Sequence, residues 1–249
     1  GKAGSVCLMH TRLLHGSAKN NSDHPRTLYI MVFSAADAMA LTPSPVPSKH
    51  QGVVVRGHDD GRVRSVSYDI ERNQVILIDQ RKLPHTFCQL RTDNYQQTAE
   101  AISNMTVRGA GAIGATAAFG FAQGIRMAPM ESSCSTFIQY IENVFNALGQ
   151  ARPTAVDPMN ALNWMRNEMR AFLKSGSKNG LNDFILNLAK KFADDDVAHC
   201  EQIGEYGAPL IKEGMNLLTH CNAGWLAFVD VGSATAPIYR AWDHGVRFH

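Results

Sequence analysis

The chain has 249 residues, 45% of them hydrophobic and 18% charged, which is enough for one large core or two domains. A net charge of +2 implies no polyanionic partner, nucleic acid included, and neither a membrane-spanning apolar run nor a signal-peptide pattern is visible. Five cysteines (Cys7, Cys88, Cys134, Cys200 and Cys221) are odd in number, scattered and free of any CxxC, which argues against a disulfide framework or a zinc site and for reduced, cytoplasmic thiols.

Taken in order, residues 5–14 and 27–34 are β-rich runs joined by a polar link. A proline-rich exit at 41–49 can be neither helix nor central strand. Residues 66–70 and 74–78 then read as a hairpin across Glu71-Arg72-Asn73, with a third strand at 86–90. Thr92 or Asp93 is the expected N-cap of a helix reaching about residue 104.

The stretch 105–124 organises the rest of the chain. Arg108 meets a glycine-rich turn, Gly109-Ala110-Gly111, and a small-residue apolar run at 112–121 is long enough for a buried helix. Glycines let backbone N–H groups approach a ligand, the helix N-terminus favours negative charge, and an arginine fork suits phosphate. The same residues also suit a plain turn with a solvated arginine. A helix is expected over 135–147, with Phe137, Tyr140, Ile141 and Val144 on one face. Arg152-Pro153 breaks it, and Arg152 is either a helix-end cap or a second anion contact. Asp157-Pro158 begins a helix to about 173, and 182–212 is a long helical region. Its Asp194-Asp195-Asp196 reads as a helix start or break with a solvated acidic face, because neighbours on a helix point apart.

Residues 216–219 and 246–249 are expected to be strands flanking a helix that begins near 234, the opening of a Rossmann-like parallel unit. Cys221 would then stand beyond the carboxyl end of the first strand, where ligands bind in such sheets. Beside His220, it reads as a group for proton transfer or electrostatic stabilisation, or as a small buried hydrophobe.

Two resemblances add to this reading. His15-Gly-Ser with Asn20, then Ser22-Asp23-His24-Pro25-Arg26, resembles the closing strands of the phytanoyl-CoA dioxygenase family, a jelly-roll-type fold. In a complete parent protein the resemblance implies Fe(II) and 2-oxoglutarate, with His15 matching an iron ligand and Arg26 the cosubstrate's carboxylate partner. The family's other two iron ligands, a His-x-Asp pair, belong upstream of residue 1.

Arg108-Gly-Ala with Ala112-Ile113-Gly114, then Arg152-Pro-Thr-Ala, then Thr219-His-Cys-Asn-Ala-Gly resemble the methylthioribose-1-phosphate isomerases of methionine salvage. Asp79-Gln80-Arg81-Lys82-Leu83-Pro84 supports the match. That family is similar to regulatory subunits of a translation initiation factor exchange complex, so a non-catalytic regulatory relative is the alternative. The resemblance implies a cofactor-free aldose–ketose isomerase acting on a sugar phosphate, usually as a homodimer. It also implies that Arg108, Gly109, Ala110 and Arg152 hold the phosphate and that Cys221 is catalytic.

The expected organisation is therefore mixed α/β in three parts. Residues 1–60 are the oxygenase-like strands, 61–213 an isomerase N-terminal domain of strands and helices, and 214–249 the start of a Rossmann-like domain. Where the family usually has proline this chain has Gly111, so a looser helix start and weaker phosphate binding are expected. The family's catalytic aspartate lies downstream of residue 249. The expectation is a fragment of an oxygenase–isomerase fusion, inactive alone.

Overall fold

The computed structural model describes residues 63–174 and 176–249. The β-rich runs expected at 5–14 and 27–34, and the jelly-roll-type reading of 1–60, lie outside the described residues. Within them the protein is mixed α/β: a small three-stranded antiparallel sheet in the order β1 (Val66–Asp69), β2 (Gln74–Ile78) and β3 (Gln89–Thr92), followed mainly by helices. The expected hairpin is present, with Val66 opposite Leu77 and Asp69 opposite Gln74.

The third strand falls at 89–92, not 86–90. The intervening residues are spent on a turn in which Lys82 N–H bonds Asp79 O (3.2 Å) and Thr86 N–H bonds Lys82 O (2.9 Å). Thr92 is therefore a strand residue and the helix cap passes to Asn94, which starts α1 (Tyr95–Ser103). Its Oδ1 accepts the Gln97 N–H (2.9 Å), and Gln97 Oε1 accepts the Asp93 N–H (2.8 Å). This reciprocal arrangement satisfies two donors that the helix cannot.

Helix α2 (Ala110–Arg126) is the centre, with every residue from Gly111 to Ile125 buried. A helix apolar on all sides must be covered on all sides. Its glycines mark where neighbours come closest. A β-carbon at Gly114 would stand 3.2 Å from Asp157 Cβ, one at Gly120 2.8 Å from Thr98 Cγ2, and one at Gly124 2.6 Å from Val144 Cγ1. Those contacts belong to α4 (Val156–Leu173), α1 and α3 (Cys134–Gln150). Gln123, the one fully buried amide on α2, donates to Asn73 O (2.8 Å) and Thr92 O (2.7 Å) and accepts from Thr98 Oγ1 (2.8 Å). Helix and sheet are thereby joined with the buried polar group satisfied.

The long helical region is one uninterrupted helix, α5 (Leu181–Gly207), and the three aspartates neither start nor break it. Asp194 pairs with Arg64 (2.7 Å) and Asp195 with Lys191 (2.6 Å), both at the surface, whereas Asp196 turns inward. The last helix, α6 (Ala236–Asp243), packs on the end of α5 at Gly204 and Gly207.

The strands expected at 216–219 and 246–249 are not formed as a ladder. Gly214 N–H bonds Arg247 O (2.8 Å), His249 N–H bonds Met215 O (2.8 Å) and Leu217 N–H bonds His249 O (2.7 Å). Three bonds run these segments side by side in the same direction, over too few residues to make a strand pair. No helix of the described residues is long and apolar enough to cross a membrane.

Candidate active site

The arginine–glycine turn opens α2. Gly109 is its N-cap, at φ +102°, a conformation that only glycine adopts without strain. A β-carbon on Gly109 would stand 2.2 Å from Ala227 Cα, so the backbone of the short 3-10 turn Trp225–Ala227 lies directly against it. Gln80 ties the same two pieces. Its Nε2 donates to Leu226 O (2.7 Å) and, at longer range, to Arg108 O (3.4 Å), while its own carbonyl accepts from Arg108 Nη2 (2.8 Å). Gln80 is only 2% exposed.

The Cys221 segment runs straight into that turn. The loop 220–224 is held by Ser233 N–H and Thr235 Oγ1, which donate to Ala223 O (2.9 and 3.0 Å). Cys221 itself is exposed, at φ +63°. It is not the small buried hydrophobe that most cysteines are. It also does not cap a strand or adjoin a long helix, since the next helix begins only at Ala236. The described residues thus set the 108–110 turn against Leu226 and Ala227, at the end of the chain segment that follows Cys221.

Gly111 is closely covered. A β-carbon there would meet Asp196 Oδ1 at 2.3 Å and Phe228 Cδ1 at 2.7 Å. The space a side chain would need is taken by that carboxylate and by the Phe228 ring, which a larger residue here would have to displace. Asp196 Oδ2 accepts the Val229 N–H (2.8 Å), and burial pushes the Asp196 carboxyl above the usual range. From sequence alone Asp196 reads as part of a solvated acidic run, and the structure turns it inward. The one available signal was its place in a helix face shared with Phe192 and Cys200, at spacings of four. Asp196, Asp195, His199, Trp164 and Phe192 line a cleft of ≈ 270 Å³ beside the first turns of α2.

Arg152 lies in the turn between α3 and α4, with its carbonyl accepting the Ala155 N–H (3.0 Å). Its Nη1 is buried and, among the described residues, has no hydrogen-bond partner. Arg152 follows α3 and precedes α4, which pack on α2 through Leu148 at Gly120 and Asp157 at Gly114. Among the described residues no group of three His, Cys, Asp or Glu side chains could hold a metal. His15 and Arg26 lie outside the described residues.

Known proteins bear on this arrangement. The sequence pattern of the initiation factor 2 subunit family matches residues 106–249. A methylthioribose-1-phosphate isomerase of Methylorubrum extorquens is 40% identical over 198 residues, 76% of this chain and 51% of that protein. Methylthioribose-1-phosphate isomerase 1 of Pseudothermotoga lettingae is 43% identical over 173 residues, 70% and 49% of the two chains. Among solved structures, the 5-methylthioribose 1-phosphate isomerase of Pyrococcus horikoshii OT3 matches with a TM-score of 0.64 at 36% identity, over 73% of this chain and 50% of that one. Subunit delta of the translation initiation factor eIF-2B from A. fulgidus matches with a TM-score of 0.65 at 32% identity, over 76% and 53%. The chain spans about half the length of the curated relatives it matches. With that pattern running from Thr106 to His249, through the arginine–glycine turn, Arg152 and Cys221, the chain belongs to the initiation factor 2 subunit family.

Proposed function

We propose that this chain carries the phosphate-holding and cysteine-bearing part of a methylthioribose-1-phosphate isomerase site. The observation that carries the reading is the seat of Ala227 on Gly109, which sets the turn following the Cys221 loop against the arginine–glycine turn. The names of relatives about 40% identical supply the substrate. In this reading the Arg108 guanidinium and the N–H groups at the start of α2 hold the phosphate, and Arg152 contributes its unpartnered Nη1.

The substrate is an aldose locked as its 1-phosphate. The reaction opens the ring and moves hydrogen from C2 to C1, giving the ketose 1-phosphate. It is an internal rearrangement whose atoms and electrons balance without a cofactor. A fixed phosphate orients C1 and C2. Cys221, exposed on its loop, is assigned to proton transfer or to stabilising charge in the transition state. Residues 61–213 are read as the N-terminal domain and 214–249 as the opening of a Rossmann-like one, in a homodimer. The same-direction hydrogen bonds between 214–217 and 247–249 support the second assignment. The oxygenase resemblance of 1–60 rests on sequence alone, and no step is assigned to His15 or Arg26.

Calorimetric titration of methylthioribose 1-phosphate into the 249-residue chain tests the reading. Binding is expected to weaken about tenfold or more in Arg108→Ala and in Arg152→Ala, the scale of a lost charge-assisted contact. Equal affinity in both variants contradicts it. A second reading, a non-catalytic regulatory relative, is favoured by the equally good fold match to the A. fulgidus translation factor subunit. No binding of the sugar phosphate by the wild-type chain would favour it.

A further inference from the structure

We propose that Gln80 is a positioning residue that couples the arginine–glycine turn to the Cys221 segment. The inference rests on the phosphate-site reading above and concerns how occupancy at the turn reaches the cysteine. Gln80 contacts both pieces through different atoms. Its backbone carbonyl holds Arg108 Nη2 (2.8 Å), and its side-chain Nε2 holds Leu226 O (2.7 Å) with a longer contact to Arg108 O (3.4 Å).

Gln80 is in turn fixed from behind. Its N–H donates to Thr106 O (2.9 Å), and at 2% exposure its amide has no water to exchange these bonds for. A donor this buried gives Leu226 one position relative to Arg108. Leu226 is five residues from Cys221 along a segment pinned at Ala223 O and again at Val229 N–H. An anion drawing on Arg108 and the start of α2 therefore acts on the same peptide units that locate the cysteine loop. The side-chain bond can be removed without touching the Arg108–carbonyl bond, which separates positioning from phosphate binding.

The test measures alkylation of Cys221 by iodoacetamide, resolved by peptide mass spectrometry from the other cysteines, with and without saturating inorganic phosphate. Wild type, Gln80→Met and Gln80→Glu are compared, with Arg108→Ala as the control for phosphate bound elsewhere. Gln80→Met keeps the length of the side chain and loses its donor, whereas Gln80→Glu loses it only while its carboxyl is ionised, so Gln80→Met carries the comparison. Phosphate is expected to slow Cys221 alkylation about fivefold in the wild type, within the usual range of coupling between sites, and less than about twofold in the Gln80 variants. Calorimetry should still show phosphate binding to them.

Equal slowing in wild type and in a folded Gln80 variant overturns the inference. If neither variant folds, hydrogen exchange on the wild type decides. Phosphate should protect amides at 225–228 together with those at 109–113, and protection confined to 109–113 overturns the coupling. Phosphate binding to the wild type without any effect on Cys221 overturns this inference alone. Absence of phosphate binding removes the phosphate-site reading and this inference with it.

Discussion

Gly109 shows how much a single residue carries here. It combines a φ of +102° with a neighbour's backbone where a β-carbon would be. Gly109→Ala should cost about 2–4 kcal/mol, from backbone strain and overpacking together, read as a lower denaturation midpoint in urea. Two aspartates give opposite pH signatures. Asp79 is held below the usual carboxylate range chiefly by its hydrogen bond with Arg81. Its contribution is present above its unfolded pKa and is lost as pH falls through its depressed value. Asp79→Asn should therefore cost about 1–2 kcal/mol near neutrality, a figure reduced because Arg81 is 42% exposed, and the difference from wild type should shrink below about pH 4. Asp196 is raised by burial, so its contribution is fullest below its unfolded pKa and fades as pH rises through the folded one. The stability of wild type relative to Asp196→Asn should fall above about pH 4, and a flat difference would contradict the burial argument. The sequence named Arg108, Gly109 and Cys221 because special residue types announce themselves. It does not reveal that Asp196 turns inward, because that follows from its contacts with Gly111 and Val229, the first of them 85 positions away in the chain (196 − 111).

Helix boundaries followed from local chemistry where caps and prolines were unambiguous. The expected helices at 135–147 and 157–173 appear as α3 and α4, longer by a few residues at the ends. They were missed where two elements compete for one residue. Thr92 has the chemistry of a cap, but β3 takes it and Asn94 caps α1. The α5 region was expected to break at its aspartates, yet each carboxylate finds a different partner around the helix and the backbone continues. The central element is α2, and its dependence on neighbours is testable. Gln123→Leu removes a fully buried amide and leaves Asn73 O and Thr92 O without that donor. Unfolding in urea should show a loss of about 2–4 kcal/mol. Met165→Ala, at a fully buried position of α4, should cost about 2–5 kcal/mol through the cavity it leaves.

Over the whole molecule the sequence conveyed the order of motifs but not the contacts that make them a site. Arg108 and Cys221 are more than a hundred residues apart, and no periodicity says that Ala227 will rest on Gly109. That contact depends on α5 carrying the chain back past α2, with Asp196 holding Val229 N–H on the way. Arg152 reaches the region by a different route, between α3 and α4, and its Nη1, without a hydrogen-bond partner among the described residues, is the feature that a bound anion would resolve. In this reading the three motifs serve one sugar phosphate. The most direct test is a crystal structure of the chain with methylthioribose 1-phosphate bound. The phosphate is expected at the start of α2, within hydrogen-bonding reach of Arg108 and Arg152, with the sugar facing Cys221. Phosphate bound away from the 108–110 turn, for instance in the cleft of Trp164 and His199, would contradict it.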